Sequence, residues 1–158
     1  MQILKRIKIL ILGLFLISGI HSVQAQAKSY IAKFKPLCDS LSAQYGIPSN
    51  VILGIAIQES AYGTSKVCRL LKNHFGIVGK NNLRKTHNIK SCYKEYENDS
   101  ASFVHFCNYV SARKYYKKLV GNTDIKTWLN AIGSGGYCRH PKQWTTVILI
   151  LLKRNQIL

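Results

Sequence analysis

Among the six carboxylates of this 158-residue chain, Glu59 is the one whose neighbours suit acid chemistry. It follows the apolar run Val51 to Ile57, and three, four and seven residues before it stand Ala56, Ile55 and Ile52. On a helix those positions form one stripe leading to the carboxyl group. Apolar surroundings disfavour the ionised form and raise a carboxyl pKa, and the partial negative charge at a helix C-terminus pushes the same way. A carboxyl group still protonated near neutrality is what a general acid requires. The plainer reading is a buried glutamate paired with a basic side chain, or one turned outward at the helix end. The other acids are Asp39, Glu95, Glu97, Asp99 and Asp124. One calcium cage would exhaust that set, which argues against a multi-carboxylate metal centre.

The elements that must hold Glu59 read as helices. Ser29 to Tyr45 is amphipathic, with Ile31, Phe34, Leu37, Cys38 and Leu41 at three- and four-residue intervals. Pro36 inside it predicts a kink or a late start. Gly46 stops it, and Pro48-Ser49-Asn50 opens the next helix with Ser49 as the expected cap. Val51 to Ile57 is apolar on every side and belongs in the middle of a domain. Gly63 closes that helix, and Ser65 to Leu71 makes a short third one. From Gly76 to Tyr96 the helical period is lost, and Gly79-Lys80-Asn81-Asn82 is turn chemistry, predicting a small hairpin or irregular lobe. Asp99 or Ser100 caps a helix to about Val110, Lys114 to Leu119 forms a turn or two, and Asp124 caps a helix carrying Trp128, Leu129 and Ile132. Gly133 to Gly136 reads as a flexible break, and Pro141 begins a last helix with Trp144, Val147, Ile148 and Leu151. Six or seven helices with one non-helical lobe make a mainly α domain.

The N-terminus carries an address. Lys5, Arg6 and Lys8 form a basic stretch, Ile9 to Ile20 an apolar one, and Val23-Gln24-Ala25 a cleavage site before Gln26. Residues 1–25 are therefore expected to be a signal peptide and 26–158 the exported domain, periplasmic or secreted. A permanent anchor is the alternative, but the apolar run is short for a membrane span. The chain has 23 Lys and Arg against six Asp and Glu, a charge of +17. Three of those bases lie in the leader, so +14 remains after cleavage. In an exported protein, Cys38, Cys68, Cys92, Cys107 and Cys138 predict one or two disulfides with at least one thiol left over. No CxxC or CxxH pair suggests zinc, and no local sequence pairs a histidine with a nucleophilic cysteine.

Gln58-Glu59-Ser60-Ala61-Tyr62-Gly63-Thr64-Ser65, followed by Asn73-His74-Phe75-Gly76-Ile77-Val78-Gly79, resembles the signature of the peptidoglycan endo-β-N-acetylglucosaminidases of glycoside hydrolase family seventy-three. The resemblance runs from Tyr45-Gly46-Ile47-Pro48-Ser49 to Gly136-Tyr137-Cys138-Arg139-His140-Pro141, nearly the whole chain after the leader. It implies a lysozyme-like helical fold, with the glycan in a groove between the helical body and the lobe near residues 80–96. It further implies Glu59 as catalytic general acid, Tyr137 beside the cleaved sugar, and Asn73, Phe75 and Gly76 as the groove-lining and packing motif. The implied substrate is a peptidoglycan strand, and no cofactor or metal is called for.

The sequence also departs from that pattern. Many members carry a second acid in the hairpin, whereas Ser60 to Lys94 contains none. Glu95 and Glu97 follow late, in a segment that matches the hairpin's end and is expected to face solvent, and a two-carboxylate hydrolase needs its pair roughly 5–9.5 Å apart. Three resolutions stay open: assistance from the sugar's 2-acetamido group, Glu95 or Glu97 folding over the groove, or a glycan binder that cleaves poorly. His140 stands where the family usually has Asp. The charge favours anionic wall polymers or a membrane surface as further partners, with no specific nucleic acid. The cluster Arg113-Lys114-Tyr115-Tyr116-Lys117-Lys118 reads first as a solvated helix face with half-buried tyrosines. The rival functions are a lytic transglycosylase or muramidase of the same fold, and a non-catalytic cationic wall-binding protein.

Overall fold

Helix α2 (Ser49–Ser60) is the axis of the domain in the computed structural model, which describes residues 2–158, with side chains from Gln24 onward. The expected leader therefore lies outside the described side chains, except for its last two residues. From Val51 to Ile57 every residue of α2 is buried, as the all-round apolar run predicts. Each of its Ile and Leu side chains contributes roughly 1.5–3 kcal/mol by leaving water. Around it pack α1 (Gln2–Tyr45), α7 (Ile125–Ile132) and α8 (Pro141–Arg154). A methyl group at Gly54 would come within 2.9 Å of Ile148 and 3.1 Å of Leu152, so α8 lies directly against the α2 backbone.

The remaining elements are α3 (Lys66–Leu71), α4 (Leu83–His87), α5 (Asp99–Ser111), α6 (Tyr116–Leu119) and a π-helical turn, Gly133–Tyr137, between α7 and α8. The mainly α, lysozyme-like architecture is as expected, and the described residues contain no named strand. The lobe between α3 and α5 is irregular. An isolated antiparallel bridge joins Val78 to Tyr93, and Gly79 N–H···O Cys92 (2.9 Å) and Lys94 N–H···O Ile77 (2.7 Å) tie its two arms. None of the helices is long and apolar enough, among the described residues, to cross a membrane.

Several local expectations are corrected. Pro36 does not start α1, which runs through it. Pro36 and Ala32 are both exposed, so water can serve the carbonyl whose helical partner proline removes. Pro48, not Ser49, is the N-cap of α2, and Ser49 takes the first helical position. Asn98, not Asp99 or Ser100, caps α5, its side chain accepting from Ala101 N–H at 2.8 Å. That releases Asp99 for other partners. Asp124 caps α7 as predicted, accepting from Thr127 N–H at 2.9 Å, and Pro141 opens α8. Gly133–Gly136, expected as a break, lies in a π turn that leaves helical geometry at Gly136 (φ 96°) and carries the chain on to Tyr137.

The expected disulfides are absent: all five cysteines are free thiols. Cys38 and Cys107 belong to the apolar core and Cys68 is also buried. They act there as small hydrophobes. Cys92 is exposed on the lobe.

Candidate active site

Glu59 ends α2 at an abrupt reversal of the chain. Ala61 (φ 50°) and Tyr62 (φ 55°) both lie in the left-handed region, a strain on the order of 1–2 kcal/mol each. Ser60 holds the reversal, donating from Oγ to Ala56 O (2.6 Å) and accepting from Gly63 N–H (2.8 Å). The Glu59 carboxyl is thereby left at the wall of a cleft of about 450 Å³. Residues 75–78 line its lobe side, His105 and Tyr109 of α5 another, and Gly136 and Tyr137 the rest.

Trp144 Nε1–H donates to Glu59 Oε1 at 2.8 Å. Burial pushes this carboxyl above its ordinary range, and the indole hydrogen bond pulls it back only in part. Oε2 faces Gly76, where a methyl group would stand 3.5 Å from it. Gly76 (φ 63°) is required for its left-handed backbone as well as for that space. The site thus turns one carboxyl oxygen to the cleft while the other is fixed, in surroundings that raise the group's affinity for a proton.

Tyr137 donates its hydroxyl to Phe75 O at 2.6 Å. Its ring packs on Trp144 (5.4 Å between centroids), Phe106 and Tyr109 (5.9 Å each). Burial raises its pKa well above the phenolic range, so it stays a neutral donor. Gly136 (φ 96°) precedes it, giving the turn a backbone conformation that side chains rarely adopt.

The other expected site residues divide. Asn73 is buried, and its side chain is saturated by backbone: Nδ2 donates to Ile77 O and Lys94 O (2.9 Å each), and Oδ1 accepts from Phe75 and Ile77 N–H (3.2 Å each). It shapes the lobe's entry. The Phe75 ring is buried, stacked on Phe106 at 4.2 Å, so this residue anchors the segment that carries Gly76 into the cleft. Glu95 and Glu97 are exposed and line a separate depression beside Lys80, Asn81 and Asn82. Glu95 Oε2 accepts from Asn82 N–H at 3.0 Å, at the start of α4. Both face solvent as expected, neither folds over the groove, and among the described residues Glu59 is the single carboxylate lining the cleft.

The remaining acids are also engaged elsewhere. Asp39 pairs with Lys35, and Asp124 caps α7. Asp99 accepts from Lys33 Nζ (2.7 Å) and meets His74 Nε2 (3.1 Å). His74 Nδ1 is 2.8 Å from the Tyr30 hydroxyl and 3.5 Å from Cys68 Sγ. Burial lowers the His74 pKa more than Asp99 raises it, so the imidazole is neutral near pH 7. One tautomer satisfies the network, with Tyr30 donating to Nδ1 and Nε2–H donating to Asp99. Cysteine, histidine and aspartate thus meet here although no sequence motif joined them. Burial pushes the Cys68 thiol up to about 12 and Nδ1 already accepts from Tyr30, so the sulfur packs rather than reacts. The network braces Asn73–Gly76 from behind.

Trp144, His105 and Tyr109 were not singled out as site residues by sequence. Trp144 read as a core position of α8, and His105 and Tyr109 lie one helical turn apart on a helix whose buried stripe gave the stronger pattern. His105 Nδ1 is 2.6 Å from the Tyr96 hydroxyl, and burial followed by the charge of Lys94 lowers its pKa, so it is neutral.

A helical body, a small irregular lobe and one half-buried carboxyl group of raised pKa in the cleft between them define a glycoside-hydrolase type of site. Residues 35–157 match the Glucosaminidase family, described as mannosyl-glycoprotein endo-beta-N-acetylglucosaminidase. The chain belongs to that family and is a glycoside hydrolase. Its fold is shared by a chain in the "Structure of a type VI secretion system effector-immunity complex from Pseudomonas protegens" (TM-score 0.62, 21% identity, covering 84% of this chain and 95% of that one). Among curated proteins, none matches the chain in sequence.

Proposed function

We propose that the chain is an exported peptidoglycan endo-β-N-acetylglucosaminidase, periplasmic or secreted, with Glu59 as its general acid and the glycan bound in the cleft beside Tyr137. The observation that carries this reading is the Glu59–Trp144 pair: one carboxyl oxygen is tethered, the other faces the cleft, and burial raises the group's pKa. Glu59 protonates the glycosidic oxygen as the bond to the anomeric carbon breaks. With no second carboxylate lining the cleft, the 2-acetamido carbonyl of the same sugar attacks that carbon as nucleophile. Water then opens the cyclic intermediate, losing its proton to the Glu59 carboxylate, and the anomeric configuration is retained. The family description names a glycoprotein glycan; the wall polymer is our assignment, supported by the motif resemblance and by the +14 charge left after the leader.

Digesting purified peptidoglycan with the native chain and with Glu59→Gln, then identifying the new reducing ends, tests the proposal. We expect N-acetylglucosamine ends and a loss of at least ~100-fold in the variant, a typical general-acid contribution. Muropeptide release at undiminished rate by the variant would sink the assignment. Anhydro-muramyl products would instead identify a transglycosylase.

A further inference from the structure

His105 and Tyr109 occupy the cleft wall four residues apart on α5, a spacing that advances about 6 Å along the axis. Four residues further, just past the end of α5, Arg113 continues the same line. Its N–H bonds to Val110 O at 3.0 Å, and its guanidinium carbon lies 3.9 Å from the centre of the Tyr109 ring. Arg113 is exposed, and among the described residues it makes no ion pair. The six acids do not compensate it: Asp39, Asp99 and Asp124 are bonded elsewhere, Glu95 and Glu97 lie on the lobe, and Glu59 is held by Trp144. A guanidinium held over a tyrosine ring is positioned by it and has N–H groups free for the fork that fits a carboxylate. The neighbouring Lys114, Lys117 and Lys118 are exposed without such a support, as the solvated-face reading predicts.

We infer that Arg113 is a subsite for the carboxylates of a muramyl residue, and that it sets which β-1,4 bond of the strand meets Glu59. The inference rests on the peptidoglycan reading above. In a strand of alternating amino sugars both kinds of linkage are β-1,4 and both sugars carry a 2-acetamido group. An acid such as Glu59 has no means of telling the two bonds apart. Every second sugar differs in its lactyl ether, which ends in a carboxylate or in a peptide bearing carboxylates. A cation seated on Tyr109, a residue of the cleft wall, converts that alternation into register.

The test compares the native chain, Arg113→Ala and Arg113→Lys on three ligands: intact sacculi, sacculi stripped of peptide so that the lactyl carboxylate remains, and neutral N-acetylglucosamine oligomers. Binding is measured by sedimentation or calorimetry, and cleavage by the identity of new reducing ends. Arg113→Ala should bind intact sacculi about tenfold more weakly, the scale of one lost charge-assisted contact, with neutral oligomers unaffected. Arg113→Lys should recover part of the loss. The share of muramic acid among new reducing ends should rise in the alanine variant. An effect surviving on stripped sacculi assigns the lactyl carboxylate, and one confined to intact sacculi assigns the peptide. Equal losses on neutral and anionic ligands, or no loss on either, would overturn the inference. Absence of cleavage by the native chain would refute the hydrolase reading separately, with binding still deciding the role of Arg113.

Discussion

The indole N–H of Trp144 and the carboxylate oxygen Oε1 of Glu59 meet at 2.8 Å across the interface of α8 and α2. Two residues 85 positions apart thereby fix the orientation of the acid and moderate its pKa. The hydrogen bond favours the ionised form, so it opposes the burial that raises the pKa.

Trp144→Phe keeps the ring and removes the donor. The Glu59 pKa should rise, moving the alkaline limb of the pH–rate profile to higher pH, while the maximal rate falls through lost orientation. A profile of kcat/KM against pH reads both effects, and an unshifted limb would show that the indole does not touch the working carboxyl group.

Stability should respond to Glu59 in the opposite sense to activity. Its folded-state pKa is raised, so the folded chain holds a proton that the unfolded chain releases first, and stability falls as pH rises from the ordinary carboxylate range through the raised value. Glu59→Gln removes that penalty. Its Tm should exceed the native value at pH 7 and converge on it near pH 4, as scanning calorimetry at the two pH values would measure.

Asp99 carries the reverse sign. Burial would raise its pKa, but hydrogen bonds from Lys33 and His74 outweigh that and hold it below the ordinary range. Its contribution is present at neutral pH and is lost as pH falls through the depressed value. Asp99→Asn should therefore lower the urea midpoint at pH 7 and have little effect at acidic pH, where the native carboxyl is already protonated.

Asn73→Ala removes four hydrogen bonds to the backbone of the lobe's entry and exit. A loss of about 2–4 kcal/mol is expected, since buried carbonyl and N–H groups are left without partners. Denaturant unfolding gives the magnitude. Hydrogen exchange should show faster opening over residues 76–96 than in α2, and uniform exchange would mean that Asn73 does not govern the lobe.

Glu95→Gln and Glu97→Gln should each change kcat by less than about twofold, because solvent-exposed charges outside the cleft interact weakly with the reacting centre. A general-base loss in either would place a mobile lobe over the cleft and replace the acetamido group in the mechanism.

Local chemistry made several elements legible in sequence. The all-round apolar run at Val51–Ile57 could only be central, Asp124 and Pro141 marked helix starts, and the loss of period after Gly76 marked the lobe. Glu59 was legible for the same reason, as a carboxylate at the end of an apolar stripe. Other features depended on partners distant in sequence. Asn98 could take the cap of α5 while Asp99 turned to Lys33 and His74 from α1 and the segment before the lobe. The thiols of Cys38 and Cys107 serve the core rather than a disulfide because helices α1 and α5 bury them as apolar groups.

The sequence by itself determined a helical body, a basic surface and a single acid with apolar surroundings, since periodicity, charge and composition are local properties. Tertiary structure decided what that acid works with. It brought Trp144 to Oε1, excluded Glu95 and Glu97 from the cleft, and set Tyr137 against Phe75, Phe106 and Trp144. Those relations depend on how α2, α5 and α8 pack, and packing joins side chains whose spacing along the chain carries no trace of the contact.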